Sequence, residues 1–295
     1  AYGKIRKKLK RKLEKIIISN NNGISFERVR KNVTQPNLNN FDCNSYDRVK
    51  VFRGDLSLTN VFEICQGYLP QDVALTAETV LAEQLIKFLR KIKNKYFQNL
   101  DNIVFSGGLF LNVKVNAAIE ASKIFENCFF PVAPSDSGLA LGGVLSQNVK
   151  INSKLTSKYG ISPFIGPSFN EEEIKKQINS FKLNYSIPKK IEKDIASEIK
   201  HKKIVGIFFD KAEYGQRSLG NRSILADPRN KSSKVMLNQK IKKRDWFMPF
   251  APAVLDRKYK DFFKSNNPSL YMQKAEKINK FYRNFIPSAV HLDGT

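Results

Sequence analysis

An alternation of helix and strand patterns around a Gly-Gly turn most constrains how this chain can fold. Residues 72–96 carry apolar residues at helical spacing, with lysine and arginine in the last turns, where the helix dipole favours positive charge. The elements predicted after this helix are, in order, a strand over 102–106, the turn Gly107-Gly108, a helix over 112–123, a strand over 127–132 and a small-residue helix ending near Ser146. Such alternation predicts an α/β fold.

The same pattern arguments divide the rest of the chain. Residues 1–15 indicate an amphipathic helix, with a membrane-surface helix as the alternative, 20–40 indicate a loop and 47–52 a short strand. The later elements are predicted as a helix over 170–181 with an Asn170–Glu173 capping box, a strand over 183–187, a helix over 191–200, a buried strand over 203–209, and helices over 232–243 and 257–264. Pro/Gly punctuation predicts domains over 1–147 and 165–295, joined by a linker over 148–164.

Composition restricts the class of protein. At 295 residues, with 41% hydrophobic residues and 22 Phe, the chain has enough apolar residues for sizeable cores. The sequence contains no apolar run near the roughly 18 residues that cross a bilayer, and its basic start does not resemble a signal peptide. Three widely spaced cysteines form neither a metal-type pair nor a disulfide framework. We therefore expect a cytoplasmic protein that does not bind membranes.

The net charge of +24 makes nucleic acid a candidate partner, because basic proteins bind polyanions non-specifically. The excess is dominated by lysine and spread along the chain, and aromatic residues are not interleaved with the basic ones. Signatures of known nucleic-acid-binding modules are absent from the sequence. We expect no specific nucleic-acid partner, and a polyanion-binding module remains the alternative.

The stretch 214–255 is the strongest candidate for chemistry. Its arginines lie beside Gly, Ser, Asn or Pro, and guanidinium groups match phosphate and carboxylate oxygens two at a time. The candidate anion-binding residues are Arg217, Arg222, Ser223, Arg229, Asn238, Lys242 and Arg244. Trp246 and Phe250 are predicted as core residues rather than as a platform for base stacking. The alternative is a solvated basic surface.

Three further clusters follow the predicted elements. Gly107 and Gly108 after a strand would let a phosphate approach the backbone, with Asn112 and Asn116 four residues apart on the next helix, although a tight turn has the same pattern. Asp136 can cap a helix, which we favour on its chemistry alone, or bind a divalent metal. The remaining pair is His291 and Asp293, at the end of the given sequence. The pair suits binding or proton transfer, and a polar chain end is the alternative.

These motifs resemble the O-carbamoyltransferases of nodulation-factor and antibiotic biosynthesis (NodU/CmcH-like). The resemblance lies in RSLGNRSILADPRN, LNQKIKKRDWFMPFAPAVL, VFSGGLFLNVKVN, FFPVAPSDSGLALGG and IPSAVHLDGT, from about residue 70 onward. It implies the second half of an actin-like ATPase (Kae1-like) domain followed by a YrdC-like α/β domain. It also implies that carbamoyl phosphate and ATP form carbamoyl adenylate, from which the carbamoyl group passes to a hydroxyl of a sugar or another metabolite.

The resemblance assigns roles to matching residues. Gly107, Gly108 and Asn112 match a nucleotide-binding turn, and Asp136 matches a ligand of a divalent metal, Fe or Mg. The residues that match the adenylate-forming site and the final motif are Arg217, Arg222, Ser223, Arg229, Lys242, Arg244, His291 and Asp293. Replacement of Arg222 with alanine is expected to abolish adenylate formation.

The sequence also departs from the family pattern. Only two histidines occur, so the chain lacks the His-x-x-x-His pair that the resemblance implies for the metal. The start at Ala1 and the stop at Thr295 lead us to expect a fragment that forms the adenylate without completing transfer. Small-molecule acceptors are the expected partners, and a homodimer is a candidate assembly. Threonylcarbamoyl transfer to tRNA is a further alternative because the folds are shared.

Overall fold

The structure is a computed structural model that describes residues 3–20, 23–26, 63–152, 162–265 and 268–295. Contacts divide the chain into two compact units: Ala1–Ile103 with Ala117–Cys128, and Val104–Asn116 with Phe129–Thr295. Helices and short strands both occur, which confirms the mixed α/β composition. In the described part of the chain the strands form two-stranded sheets, β1 with β2, β3 with β4 and β5 with β6.

The first unit is built on a long helix and a hairpin. Its elements are α1 (Lys7–Leu13), β1 (Ile17–Asn20), β2 (Gly23–Phe26) and α2 (Pro70–Tyr96). The two strands are antiparallel, with Ile17 opposite Phe26. Proline suits the first turn of α2 because no helical partner is needed for its missing N–H. Leu9, Leu13 and Ile16 pack with Val80 in the core, which agrees with an amphipathic first helix.

Buried polar residues of α2 are hydrogen-bonded to the segment before α1. Asp72, only 3% exposed, accepts from the backbone N–H of Lys4 and from the Arg6 guanidinium. Burial by itself would raise the pKa of Asp72, but these donors outweigh burial and lower the pKa below its usual range. The carboxylate therefore stabilises the unit in its charged form.

We expect Asp72→Asn to destabilise the protein by about 1–3 kcal/mol at neutral pH, because a charged acceptor is lost. Since the folded pKa lies below the unfolded value of about 3.9, the contribution is fully present above that pH and is lost as pH falls through the folded pKa. The difference between variant and wild type, measured by urea unfolding from pH 7 to 3, should shrink below about pH 4. Asp101→Asn is the control, because Asp101 is exposed and pairs with Lys93 at 3.5 Å. An unchanged difference across this pH range would contradict the expectation.

The middle of the chain contains the predicted alternation of helix and strand around the Gly107-Gly108 turn. β3 (Asn102–Val104) precedes a 3₁₀ turn (Gly108–Leu111), α3 (Val113–Ala121), β4 (Asn127–Phe129) and α4 (Ser137–Asn152). In the second unit, the rings of Phe105 and Phe130 stack with centroids 5.0 Å apart, and Phe110 packs 4.8 Å from Phe105. The predicted order of elements is confirmed, with shorter strands and with α4 extending into the predicted linker.

The second unit continues with small elements. They are α5 (Glu171–Ser180), α6 (Ile191–Lys200), β5 (Val205–Phe208), β6 (Arg222–Leu225), α7 (Ser232–Met236), a π-helical turn (Leu237–Ile241), a 3₁₀ turn (Asp256–Lys258), α8 (Tyr259–Phe262) and 3₁₀ turns at Tyr282–Asn284 and Pro287–Ala289. β5 and β6 are antiparallel, with Phe208 opposite Arg222. The capping box is confirmed: Asn170 and Glu173 exchange hydrogen bonds of 2.8 and 2.9 Å.

Several predicted elements are wrong. Residues 183–187 form no strand, because Lys182 adopts a left-handed backbone that ends α5 and the chain then runs irregularly to α6. The strand predicted as buried, β5, alternates in exposure, and Phe208 is 61% exposed. Within the predicted loop 20–40 the chain forms β2, while the predicted strand over 47–52 lies outside the described residues.

No helix in the described ranges has both the length and the apolar content needed to cross a bilayer.

Candidate functional site

The Gly107-Gly108 turn leaves its backbone open to an approaching group. Gly107 has φ +114°, a conformation that glycine adopts without steric cost, and its N–H donates to the Pro134 carbonyl at 2.6 Å. A Cβ atom on either glycine would meet no atom within 4 Å. The turn is therefore held in place on one side and accessible on the other.

The two asparagines that follow have structural contacts. Asn112 precedes α3 and accepts from the N–H groups of Lys114 and Val115 at 3.0 and 3.2 Å, as an N-cap does. Asn116 is fully buried and donates to the carbonyls of Phe110 and Gln273, both at 2.8 Å. No donor among the described residues bonds to its buried Oδ1 atom. Asn116 thus joins α3 to the segment around Gln273.

Asp136 lies exposed at the start of α4. Its position suits one carboxylate ligand of a divalent metal, but a metal site needs several oxygen or nitrogen donors. Among the described residues, no group of three His, Cys, Asp or Glu side chains is arranged to hold a metal ion. The described residues by themselves therefore do not fit a complete metal centre.

Arg217 is the arginine that contacts the 3₁₀ turn Gly108–Leu111. Its guanidinium donates to the Leu111 carbonyl at 3.2 Å. It also borders a shallow cleft whose walls are mainly apolar. The lining residues are Phe110, Leu111, Val113, Pro131, Val132, Pro134, Gln216, Arg217, Tyr271, Met272 and Gln273. Arg217 therefore places a positive charge against the 3₁₀ turn that begins at Gly108.

Glu213 organises the loop that carries Arg217. One carboxylate oxygen, Oε1, accepts from the backbone N–H groups of Leu219, Asn221 and Arg222 at 2.8, 2.8 and 3.1 Å. Burial would raise the pKa of Glu213, but the backbone donors outweigh it and lower the pKa. Sequence reasoning missed this residue, although an acidic residue just before a Gly-containing turn was the available signal.

The side chain of Arg222 is occupied by its own hairpin. Its guanidinium lies 3.6 Å from the centroid of the Phe208 ring. It also donates to the carbonyl oxygens of Phe209, Asp210, Asn221 and Pro167. Ser223 Oγ accepts from the Gly220 N–H at 3.0 Å. Both residues therefore stabilise the turn between β5 and β6, so loss of activity in an Arg222→Ala variant would report on this turn as well as on anion binding.

Arg229 is also paired locally. Its guanidinium makes a bidentate contact with Asp227: Nε donates to Oδ1 and Nη2 donates to Oδ2, both at 2.8 Å. The hydrogen bond from Arg229 lowers the pKa of Asp227. Arg229 is 61% exposed on its side chain, whereas the Asp227 side chain is 8% exposed. This pair closes the turn that leads into α7.

A buried asparagine organises the segment 244–250. Asn238 has no exposed surface; its amide donates to the carbonyls of Trp246 and Met248, and its oxygen accepts from Arg244 Nε at 2.7 Å. Arg244 packs 4.7 Å from the centroid of the Phe250 ring, and burial lowers its pKa. Trp246 is 48% exposed, so its prediction as a core residue is wrong.

The last motif folds around Asp293. Its carboxylate contacts Lys114 Nζ and lies 3.1 Å from His291 Nδ1. Burial would raise the pKa of Asp293, but Lys114 and Thr295 outweigh it and lower the pKa. Burial lowers the pKa of His291 and favours the neutral imidazole. Lys114 was not anticipated, since 179 positions separate it from Asp293.

The structure brings only part of the candidate set together. Arg217 lies against the 3₁₀ turn that follows Gly107, and Lys114 of α3 contacts the terminal motif. The partners of the other arginines are groups on their own turns, and for Arg222 also the Pro167 carbonyl: Arg222, Arg229 and Arg244. Lys242 is exposed. These contacts therefore do not gather the four arginines around one anion.

Two family models match this chain, one over its N-terminal half and one over its C-terminal part. The carbamoyltransferase N-terminus family matches residues 7–145, and the carbamoyltransferase C-terminus family matches residues 196–295. The chain belongs to the carbamoyltransferase family. The match begins at residue 7, well before the point near residue 70 where the motif resemblance starts.

Individual relatives agree with this assignment. The chain is similar to Nodulation protein U of Bradyrhizobium diazoefficiens, with 29% identity over 232 residues that cover 76% of this chain and 38% of the relative. Two uncharacterized proteins of Methanocaldococcus jannaschii are 29% identical over 231 residues and 34% identical over 225 residues. These matches cover 76% and 74% of this chain, and 38% and 42% of the relatives. The chain thus spans about two fifths of the length of these curated relatives.

Proposed function

We propose that this chain forms part of an ATP-dependent O-carbamoyltransferase. The observation that carries the proposal is that both family halves match and that Arg217 of the C-terminal half donates to Leu111 of the N-terminal half. Residues 1–147 would belong to a Kae1-like transfer domain and 165–295 to a YrdC-like adenylate-forming domain. The order of the two family matches, residues 7–145 and then 196–295, supports this division.

The proposed reaction has two steps. Carbamoyl phosphate, ATP and one water give carbamoyl adenylate, with pyrophosphate leaving from ATP and inorganic phosphate leaving from carbamoyl phosphate. The carbonyl carbon of the adenylate is then attacked by a hydroxyl of a sugar or another small metabolite, and AMP leaves. In this second step the hydroxyl proton must be taken up by a base.

The candidate residues have distinct proposed roles. Arg217, Lys242 and Arg244 would neutralise phosphate oxygens as negative charge shifts during adenylate formation. The open backbone at Gly107 and Gly108 would let a nucleotide phosphate approach closely. Asp136 would supply one oxygen ligand if a metal binds, and no step depends on that metal here.

The proposal is tested by ATP–pyrophosphate exchange with the purified protein that carries this chain. Exchange should require carbamoyl phosphate and should not occur when acetyl phosphate replaces it, because only a carbamoyl group forms the expected adenylate. Exchange that is absent, or equal with and without carbamoyl phosphate, would refute the proposal.

The net charge of +24 favours a second candidate, a module that binds polyanions. Sequence-independent binding to DNA or RNA, weakening steeply as salt is raised, is expected from such a module. Absence of binding near physiological ionic strength would remove this candidate.

Threonylcarbamoyl transfer to tRNA is the other enzyme hypothesis. It would require threonine for ATP–pyrophosphate exchange, so the exchange assay described above separates it from O-carbamoyl transfer.

A further inference from the structure

Arg217 lies on a short loop that a single carboxylate closes. Glu213 begins the loop, and its Oε1 atom accepts from the N–H of Leu219 at 2.8 Å, six residues later. Arg217 lies between these two residues. The same oxygen accepts from Asn221 and Arg222 at 2.8 and 3.1 Å. One oxygen atom thus fixes both the closure of the loop and the start of β6.

The first side of the loop is anchored separately. The N–H of Tyr214 donates to the Pro163 carbonyl at 2.6 Å, and the Tyr214 hydroxyl donates to the Ser137 carbonyl. Gly215 has φ +100°, and a Cβ atom there would lie 3.2 Å from the Val132 carbonyl oxygen. Because these contacts hold the loop before Arg217, the position of Arg217 depends mainly on how the residues after it, from Ser218 to Arg222, are held.

Glu213 holds the other side together with Arg222 and Ser223, and it is the acceptor for three backbone N–H groups there. Gly220 has φ +119°, and Gln216, Ser218 and Gly220 are exposed. Without the carboxylate, the amides of Leu219, Asn221 and Arg222 lose a charged acceptor, and the exposed residues offer little packing to replace it. The loop would then open locally while the packing of the unit persists.

We propose that Glu213 is a positioning residue that holds Arg217 against the Leu111 carbonyl. Its carboxylate occupies the N–H groups of Leu219, Asn221 and Arg222, so these three amides are not available to a phosphate, and Arg217 would be the group that contacts it. The catalytic consequence rests on the proposed function, whereas the hold on the loop does not.

The hold on the loop is tested by amide hydrogen exchange of Leu219, Asn221 and Arg222 in the folded protein. In Glu213→Ala we expect these amides to exchange about tenfold faster or more, because each loses a bond to a charged acceptor. Formate should slow exchange again by occupying the vacated position. Glu198→Ala, which removes an exposed carboxylate paired with Lys203, is the control and should change none of the three. Unchanged exchange in Glu213→Ala would overturn the proposal.

Glu213→Gln keeps the test usable should the alanine variant fail to fold. Its amide oxygen still accepts but carries no net charge. The three amides should therefore exchange faster than in wild type and, if the alanine variant can be measured, more slowly than in Glu213→Ala. Exchange as slow as in wild type would show that the charge is not needed and would contradict the proposed hold.

The link to Arg217 is tested by a double-mutant cycle on carbamoyl-phosphate-dependent exchange. If Glu213 acts through Arg217, then Glu213→Ala/Arg217→Ala should be no slower than Arg217→Ala alone, within about twofold. Multiplying losses would mean that Glu213 acts independently and would overturn its positioning role. Wild-type protein without any pyrophosphate exchange would refute the proposed function, while the amide measurements would still decide whether Glu213 holds the loop.

Discussion

Replacing Arg217 with alanine is expected to lower carbamoyl-phosphate-dependent ATP–pyrophosphate exchange by about 100- to 1,000-fold, the usual effect of removing one oriented donor to a developing charge. Arg217 is the arginine that contacts the 3₁₀ turn Gly108–Leu111, and among the described residues its guanidinium has one protein acceptor, the Leu111 carbonyl, at the long distance of 3.2 Å. A guanidinium has five N–H donors, so this contact leaves capacity for a ligand.

Arg217→Lys separates charge from geometry. Lysine keeps the positive charge but cannot offer two parallel donors to a phosphate, so we expect it to recover only part of the lost rate. Arg257→Ala is the matched control, since Arg257 is an exposed arginine of the 3₁₀ turn Asp256–Lys258. If Arg217→Ala exchanged pyrophosphate as fast as Arg257→Ala, Arg217 would have no role in the reaction.

The contrast between Arg217 and Arg222 shows what local sequence cannot reveal. Both arginines lie next to a turn-forming residue in the same motif, Ser218 and Asn221 respectively, and both were predicted to bind the anion. The difference lies in which carbonyl oxygens the fold directs towards each guanidinium. Arg222 has four such acceptors and the Phe208 ring, whereas Arg217 reaches across to Leu111. Charge and spacing predicted a basic motif but not which arginine remains available.

Local signals predicted elements well where the signal was itself local. The Asn170–Glu173 box and the helix Ile191–Lys200 depend on contacts within a few residues, and both were found as predicted. The strand expected over 183–187 was wrong because β propensity needs a partner strand, and the chain offers none at this point in the described structure. Lys114 and Asp293 meet only through tertiary structure, so no sequence window contained both.

Replacing Asn238 with alanine is expected to lower the free energy of unfolding by about 3 kcal/mol, because buried polar groups that lose a partner each cost about 1–3 kcal/mol. The asparagine side chain is completely buried and bonds to Trp246, Met248 and Arg244 at 3.1, 3.0 and 2.7 Å. Pyrophosphate exchange should fall as well, since Arg244 loses the acceptor that orients its Nε atom.

Two further variants make the Asn238 expectation specific. Asn238→Asp can still accept from Arg244 but cannot donate to the carbonyls of Trp246 and Met248, so it should also destabilise the protein while retaining more exchange activity than alanine. Asn184→Ala removes an exposed asparagine and should stay within about 0.5 kcal/mol of wild type in urea unfolding. An Asn238→Ala variant as stable as Asn184→Ala would mean that segment 244–250 holds its conformation without the buried amide. The hydrogen bonds of Asn238 predict instead that one buried side chain both stabilises this segment and orients Arg244.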